Sequence, residues 1–166
     1  LGSALDDFIA SQGYVLGICN GFQVLVQLGI FGKKIALTHN VQGHFQNRWV
    51  QLKIIGKCVF TEKLLSQGKN ILELPIRHGE GRLIFTDDLS SQQALNEGRC
   101  ILQYTENVNG SWNNIAALSA YEGRVLGLMP HPEAFWCYEL HPTGSQNVPL
   151  GVELLQSAFD SLRRQR

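Results

Sequence analysis

Two short stretches of the chain hold residues whose types and spacing could do covalent chemistry. One is Gly17-Ile18-Cys19-Asn20-Gly21, a G-x-nucleophile-x-G pattern with cysteine where many hydrolases carry serine. The other is Pro130-His131-Pro132-Glu133. A thiol nucleophile needs a base that takes its proton and later gives it to the leaving group. The base in turn needs an acceptor that holds its ring. Cys19, His131 and Glu133 fit those three roles. His131 suits the base because imidazole is largely neutral near pH ~7. Residues two apart in an extended segment point the same way, so Glu133 is expected on the side of His131, with Pro132 holding the segment extended. A free cysteine is by default a small buried hydrophobe. The flanking glycines and the start of a helix set Cys19 apart from Cys58, Cys100 and Cys137.

The elements that would position these groups can be read around them. Tyr14, Val15, Leu16 and Ile18 form a short apolar run closed by glycines, expected as a buried strand in the middle of a parallel sheet. From Asn20, the residues Phe22, Val24, Leu25, Val26 and Leu28 suit a well-covered helix. The turn between them is tight, so side chains at Gly17 and Gly21 would block the approach of strand and helix. A thiol at that helix N-terminus sits where the dipole favours thiolate. Val125-Leu126-Gly127-Leu128-Met129 is an apolar strand that delivers His131 to its carboxyl end, where sites gather in α/β sheets.

The remaining segments alternate strands and helices. Residues 2–12 read as a helix with Ser3 as cap, Ala4, Leu5, Phe8 and Ile9 on one face, and Gly13 as its end. Strands are expected at residues 35–40, 49–55, 71–76, 100–104, 115–120 and 125–129, with a turn at Glu122-Gly123. Residues 61–70 read as a polar, turn-rich loop. Residues 87–97 read as a short helix capped by Asp87 or Asp88. Residues 151–166 read as a helix with Val152, Leu154, Leu155, Ala158, Phe159 and Leu162 facing inward. The pattern is α/β, with hairpin-like strand pairs in its middle.

Composition narrows the function. The 166 residues carry 14 basic and 14 acidic side chains, which gives no footprint for nucleic acid or an anionic membrane. No apolar run approaches the roughly 20 residues that span a bilayer. The four cysteines lack C-x-x-C spacing and suit reduced thiols in a cytoplasmic protein. His39, His44 and His78 lie in glycine-containing loops and form neither H-x-x-x-H nor H-E-x-x-H, so no metal site is expected. No phosphate-binding glycine motif is present.

Together, Gly17-Ile18-Cys19-Asn20-Gly21-Phe22-Gln23 and Pro130-His131-Pro132-Glu133 resemble the class I (triad) glutamine amidotransferases. The segments 45–50, 75–82, 109–111 with 114–116, and 123–133 are similar to one branch of that family, the glutaminase component of phosphoribosylformylglycinamidine synthases. The resemblance implies a flavodoxin-like open sheet and hydrolysis of L-glutamine to glutamate and ammonia. Cys19 would form a γ-glutamyl thioester, His131 would protonate the departing ammonia and then activate water, and Glu133 would hold the imidazole. The backbone N–H of Asn20 would be an oxyanion donor, and Gln23 would help hold the substrate. His78 and Gly79 would sit where family members bind the amino-acid end of glutamine through backbone groups. No cofactor is implied in this domain. ATP and magnesium are expected on a partner synthetase, a separate subunit or a fused domain, that receives the ammonia.

Family members carry a first β-α-β region ahead of the segment matching Leu1. The chain is therefore expected to be a glutamine amidotransferase domain, residues 1–166, incomplete at its N-terminus, of doubtful activity alone and prone to self-association. Three other readings stay open: a glutaminase serving a different synthetase, a docking module that hydrolyses nothing, and a hydrolase or chaperone-like protein. A cysteine hydrolase or chaperone-like relative with the same elbow fits the His-Pro-Glu ending less well.

Overall fold

A computed structural model describes residues 2–143 and 149–164. Helix α1 (Gly2–Ala10) leads into strand β1 (Val15–Ile18), followed by α2 (Asn20–Gln27) and β2 (Ile35–Thr38). Next come β3 (Gln46–Ile54), α3 (Glu62–Ser66), β4 (Ile71–His78), β5 (Arg82–Phe85), α4 (Asp88–Asn96) and β6 (Cys100–Tyr104). The chain continues through β7 (Ile115–Ala120) and β8 (Val125–Leu128) to the C-terminal helix α5 (Leu150–Arg164).

Six strands form one open sheet in the order β1-β8-β7-β6-β3-β4, and β2 with β5 forms a separate two-stranded ribbon. Among the described residues only β1 and β8 run parallel; the other pairs are antiparallel. β3 alternates buried Val50, Leu52 and Ile54 with exposed Gln51 and Lys53, whereas the β8 part of the mixed sheet is covered on both faces. Alternation along β8 shows how: Val125 and Met129 pack with Ile9, Phe22, Leu25 and Phe31 on the α2 side. Leu126 and Leu128 pack with Leu52, Leu74, Phe135, Leu154 and Ala158 on the α5 side. Successive strand residues point to opposite faces, so a strand buried on both sides must be apolar throughout.

Several local readings are corrected. Among the described residues the strand at Val15–Ile18 pairs only with β8, which leaves its other side open, and Val15, Leu16 and Ile18 are half-buried rather than buried. Ser3 lies inside α1 rather than at its cap, and of that helix's apolar face only Ile9 is buried while Phe8 is half exposed. The left-handed residue that ends the helix is Gln12, with φ 67°, not Gly13. Residues 61–70 contain α3, whose first carboxylate, Glu62, favours the positive helix end. The terminal helix buries Gly151, Leu154, Ser157, Ala158 and Ser161, while Val152, Phe159 and Leu162 face outward. Serines fit that inner face because they find partners: Ser157 Oγ donates to Val59 O at 2.7 Å, and Ser161 Oγ meets Tyr14 OH at 3.1 Å. Pro75 stands within β4, which is tolerated because β4 is an edge strand. Other readings stand unchanged: β6 has the expected bounds, and Asp87 caps α4 by accepting from Ser90 N at 2.8 Å.

Candidate functional site

Cys19 joins β1 to α2 in a conformation that side chains rarely adopt, φ 50° and ψ −103°. Such strain costs about 1–3 kcal/mol and persists only where the surroundings impose it. Here the elbow is pinned at both ends. Cys19 N donates to Leu128 O at 2.8 Å, and Gln23 N donates to Cys19 O at 3.1 Å. A Cβ on Gly17 would lie 2.9 Å from the Gly21 backbone and 2.5 Å from Leu25, so this glycine is sterically required. The same argument fails at Gly21, where a Cβ would meet nothing within 4 Å. Because α2 begins at Asn20, the N–H groups of its first three residues have no helical acceptor.

His131 follows β8, the parallel neighbour of β1, so the two groups leave adjacent strand ends. Ile18 is in register with Leu128. His131 N donates to Pro75 O at 2.9 Å, which ties the segment to β4. Residues Pro132–Ala134 form a 3-10 turn rather than the extended segment expected from Pro132. The turn still brings the two side chains together: His131 Nδ1 lies 2.6 Å from Glu133 Oε1. With a carboxylate there, Nδ1 carries the hydrogen and donates, which leaves Nε2 for the thiol. Nε2 is buried, and Cys19 Sγ also lies 3.8 Å from the carbonyl oxygen of Arg77. The His131 pKa is raised from 6.5, first by its interaction with Cys19 and then by Glu133, against the opposing effect of burial.

The third part of the site is the turn after β4. His78 is buried, and its Nδ1 lies 3.1 Å from Asn40 Oδ1. Burial, with His131 nearby, lowers its pKa to about 4. Gln23 reaches across from α2 and donates through Nε2 to Glu80 O at 2.8 Å. Gly79 N and O therefore sit in a turn bound to the elbow helix. His39 and His44 stay outside: His39 is exposed and 3.4 Å from Glu80 Oε1, and His44 contacts Gln46 at 3.2 Å. No group of three or more His, Cys, Asp or Glu forms a metal cage among the described residues. No described helix is long and apolar enough to cross a membrane.

Sequence reasoning overlooked the backbone carbonyls of Arg77 and Glu80 and the side chain of Asn40. Carbonyls leave no mark in a sequence. Asn40 stands beside His39 in a loop where the histidines drew attention. A depression of about 520 Å³ is lined by Gln23, Gln27, Lys33, Leu37 and Glu80, and neither Cys19 nor His131 lines it.

An open α/β sheet with a strained cysteine elbow and a carboxylate-bound histidine on the adjoining strand defines a class of cysteine-elbow α/β proteins. Residues 1–164 match the CobB/CobQ-like glutamine amidotransferase domain, and the chain belongs to that family. It is 38% identical to the phosphoribosylformylglycinamidine synthase subunit PurQ of Dehalococcoides mccartyi, over 98% of this chain and 65% of that protein. It is 44% identical to the PurQ subunit of Prochlorococcus marinus, over 79% of this chain and 58% of that one. The chain thus spans less than two thirds of the length of these curated relatives. Among solved structures it is similar to a chain of PurLQS from Thermotoga maritima, with 31% identity and a TM-score of 0.78 over 97% of this chain and 68% of that one. A glutamine amidotransferase from Thermotoga maritima, 15% identical with a TM-score of 0.60, shares the fold.

Proposed function

We propose that this chain is the glutaminase part of a phosphoribosylformylglycinamidine synthase. It hydrolyses L-glutamine to glutamate and hands the ammonia to a synthetase that binds ATP and magnesium, in the cytoplasm. The observation that carries this reading is the Cys19 elbow beside a histidine bound at 2.6 Å to Glu133, in a chain similar to PurQ subunits.

Each residue has a role in that reaction. His131 Nε2 takes the Cys19 proton, and the thiolate attacks the glutamine carboxamide carbon. The N–H of Asn20 donates to the oxyanion, in the manner of pre-aimed donors at a helix start. His131 returns the proton to the nitrogen as the C–N bond breaks, leaving a γ-glutamyl thioester and ammonia. His131 then removes a proton from water, the hydroxide attacks the thioester, and glutamate leaves as Cys19 regains its proton. Glu133 holds the imidazole throughout. The Gly79–Glu80 peptide groups and Gln23 receive the amino-acid end of the substrate.

The test is a glutaminase assay with and without the synthetase, together with labelling by a glutamine-analogue electrophile. Cys19→Ser and Cys19→Ala should abolish hydrolysis, and the label should appear on Cys19 alone. The other thiols are poor nucleophiles: burial raises the Cys58 pKa, burial raises Cys100 to about 11, and a hydrogen bond with Glu139 raises Cys137. Labelling at Cys137 with Cys19 untouched would sink the assignment. A chain that binds the synthetase but never hydrolyses glutamine would be a docking module.

A further inference from the structure

The turn after β4 is held by one side chain from a loop about 40 residues away, at separations of 38 and 41. Asn40, just beyond β2, is 3% exposed. Its Nδ2 donates to His44 O at 3.1 Å and to His78 O at 2.9 Å. Its Oδ1 accepts from Gly81 N at 3.2 Å. Its backbone N donates to Gly79 O at 2.9 Å. A carbonyl can only accept and a backbone N–H can only donate, so the orientation of the amide is fixed. His78 Nδ1, 3.1 Å from that same Oδ1, must then be the protonated nitrogen. On the far side, Gln23 grips Glu80 O. The turn is therefore clamped by the loop after β2 and by α2.

We propose that Asn40 is a positioning residue for substrate affinity: it presets the peptide groups of Gly79 and Glu80 to receive the amino-acid end of glutamine. The inference rests on the glutaminase reading above and adds to it the residue that builds the substrate cradle. Asn40 acts through the turn and not on the reacting atoms. A turn already ordered loses little conformational freedom on binding, so affinity is gained without contact. Without Asn40 the substrate must order the turn itself, and the cost falls on KM rather than on the chemistry at Cys19.

The experiment compares two electrophiles on the full chain, iodoacetamide and a chloroketone analogue of L-glutamine. Both alkylate Cys19, but only the second uses the cradle. Asn40→Ala should slow the chloroketone about tenfold or more and leave iodoacetamide within about twofold, with glutamine KM raised and kcat held. Asn40→Asp keeps the oxygen that accepts from Gly81 N but sets a carboxylate oxygen against the carbonyls of His44 and His78, so it should lower the chloroketone rate at least as far as Asn40→Ala. If both electrophiles slow together, Asn40 only supports the fold, and if neither slows, the turn does not need it; either result overturns the inference. Should Asn40→Ala fail to fold, the ratio of the two rates in Asn40→Asp decides, and an unchanged ratio overturns it. A wild-type chain that shows no preference for the chloroketone would overturn the glutaminase reading itself. A preference retained in the variants would overturn only the role of Asn40.

Discussion

Gly17 of β1 and Gly127 of β8 are register partners in the parallel pair that carries the site. A Cβ on Gly17 would meet Gly21 and Leu25, and one on Gly127 would lie 2.1 Å from the Phe22 ring. The two glycines let α2 settle directly on the strands. Phe22 is three residues beyond Cys19, so the packing of its ring fixes the helix that fixes the elbow. Sheet, helix and nucleophile turn are thereby coupled through one pair of missing side chains.

Gly127→Ala should therefore be costly at a site far from any reacting atom. The added methyl must displace Phe22, which is 1% exposed and meets Phe31 edge-on with ring centroids 5.4 Å apart. Overpacking of this kind costs about 1–3 kcal/mol. A thermal melt should show it, and glutaminase activity should fall with it as the elbow shifts. An unchanged melt would mean that α2 slides freely on the sheet.

The strain at Cys19 can be measured by substitution. Glycine adopts a positive φ without the steric cost that any Cβ incurs. Cys19→Gly should be more stable than Cys19→Ala by about 1 kcal/mol, although neither retains the thiol. Chemical denaturation of the two variants gives the difference directly. Equal stability would show that the elbow backbone relaxes once sulfur is gone.

How much of this was legible in the sequence depended on whether local chemistry or tertiary context decided the outcome. The elbow was legible because a glycine-flanked cysteine between a strand and a helix leaves few conformations. The Asp87 cap and the bounds of β6 were legible for the same local reason. The inner face of α5 was legible only in part: Leu154 and Ala158 are buried as expected, but Val152, Phe159 and Leu162 are exposed. Burial there follows Ser157 and Ser161, which bond to Val59 O and Tyr14 OH, and no hydropathy pattern marks a serine as inward. The geometry of Glu133 was reached from a wrong premise: an extended segment and a 3-10 turn both place it near His131, so side-chain proximity alone could not distinguish them. Among the described residues β1 is an edge strand, a place that its hydropathy alone does not set, since an apolar strand reads the same with one neighbour or two.

That edge has a measurable consequence. Leu155, Phe159 and Leu162 of α5 line a hollow of about 220 Å³ with Tyr14, Leu16 and Phe60, beside the open side of β1. Phe159 is 66% exposed. Unpaired strand edges and exposed apolar stripes favour pairing with another copy of the same chain. The 166-residue chain alone should form dimers or larger species at micromolar concentration by sedimentation. Phe159→Glu with Leu162→Glu should shift it toward monomer without loss of helical signal. A wild-type monomer would show that this face is stable in water.

The last prediction concerns the division of labour between His131 and Glu133. Cys19 and Glu133 raise the His131 pKa above 6.5, and burial offsets only part of that effect. A base works in its neutral form, so kcat/KM should rise with pH through this raised value and fall as the pH drops below it. Glu133→Gln retains an acceptor at Nδ1 and removes the negative charge. One of the raising influences is then lost, so the acidic limb should move to lower pH while the plateau falls through poorer orientation. His131→Ala removes the proton carrier itself, worth about 10²–10⁴ in rate, and should cost at least as much as Glu133→Ala. Profiles of kcat/KM for the three variants settle both points. A larger loss from Glu133→Ala than from His131→Ala would mean that Glu133 moves the proton. A limb that stays fixed in Glu133→Gln would mean that the carboxylate does not tune the imidazole.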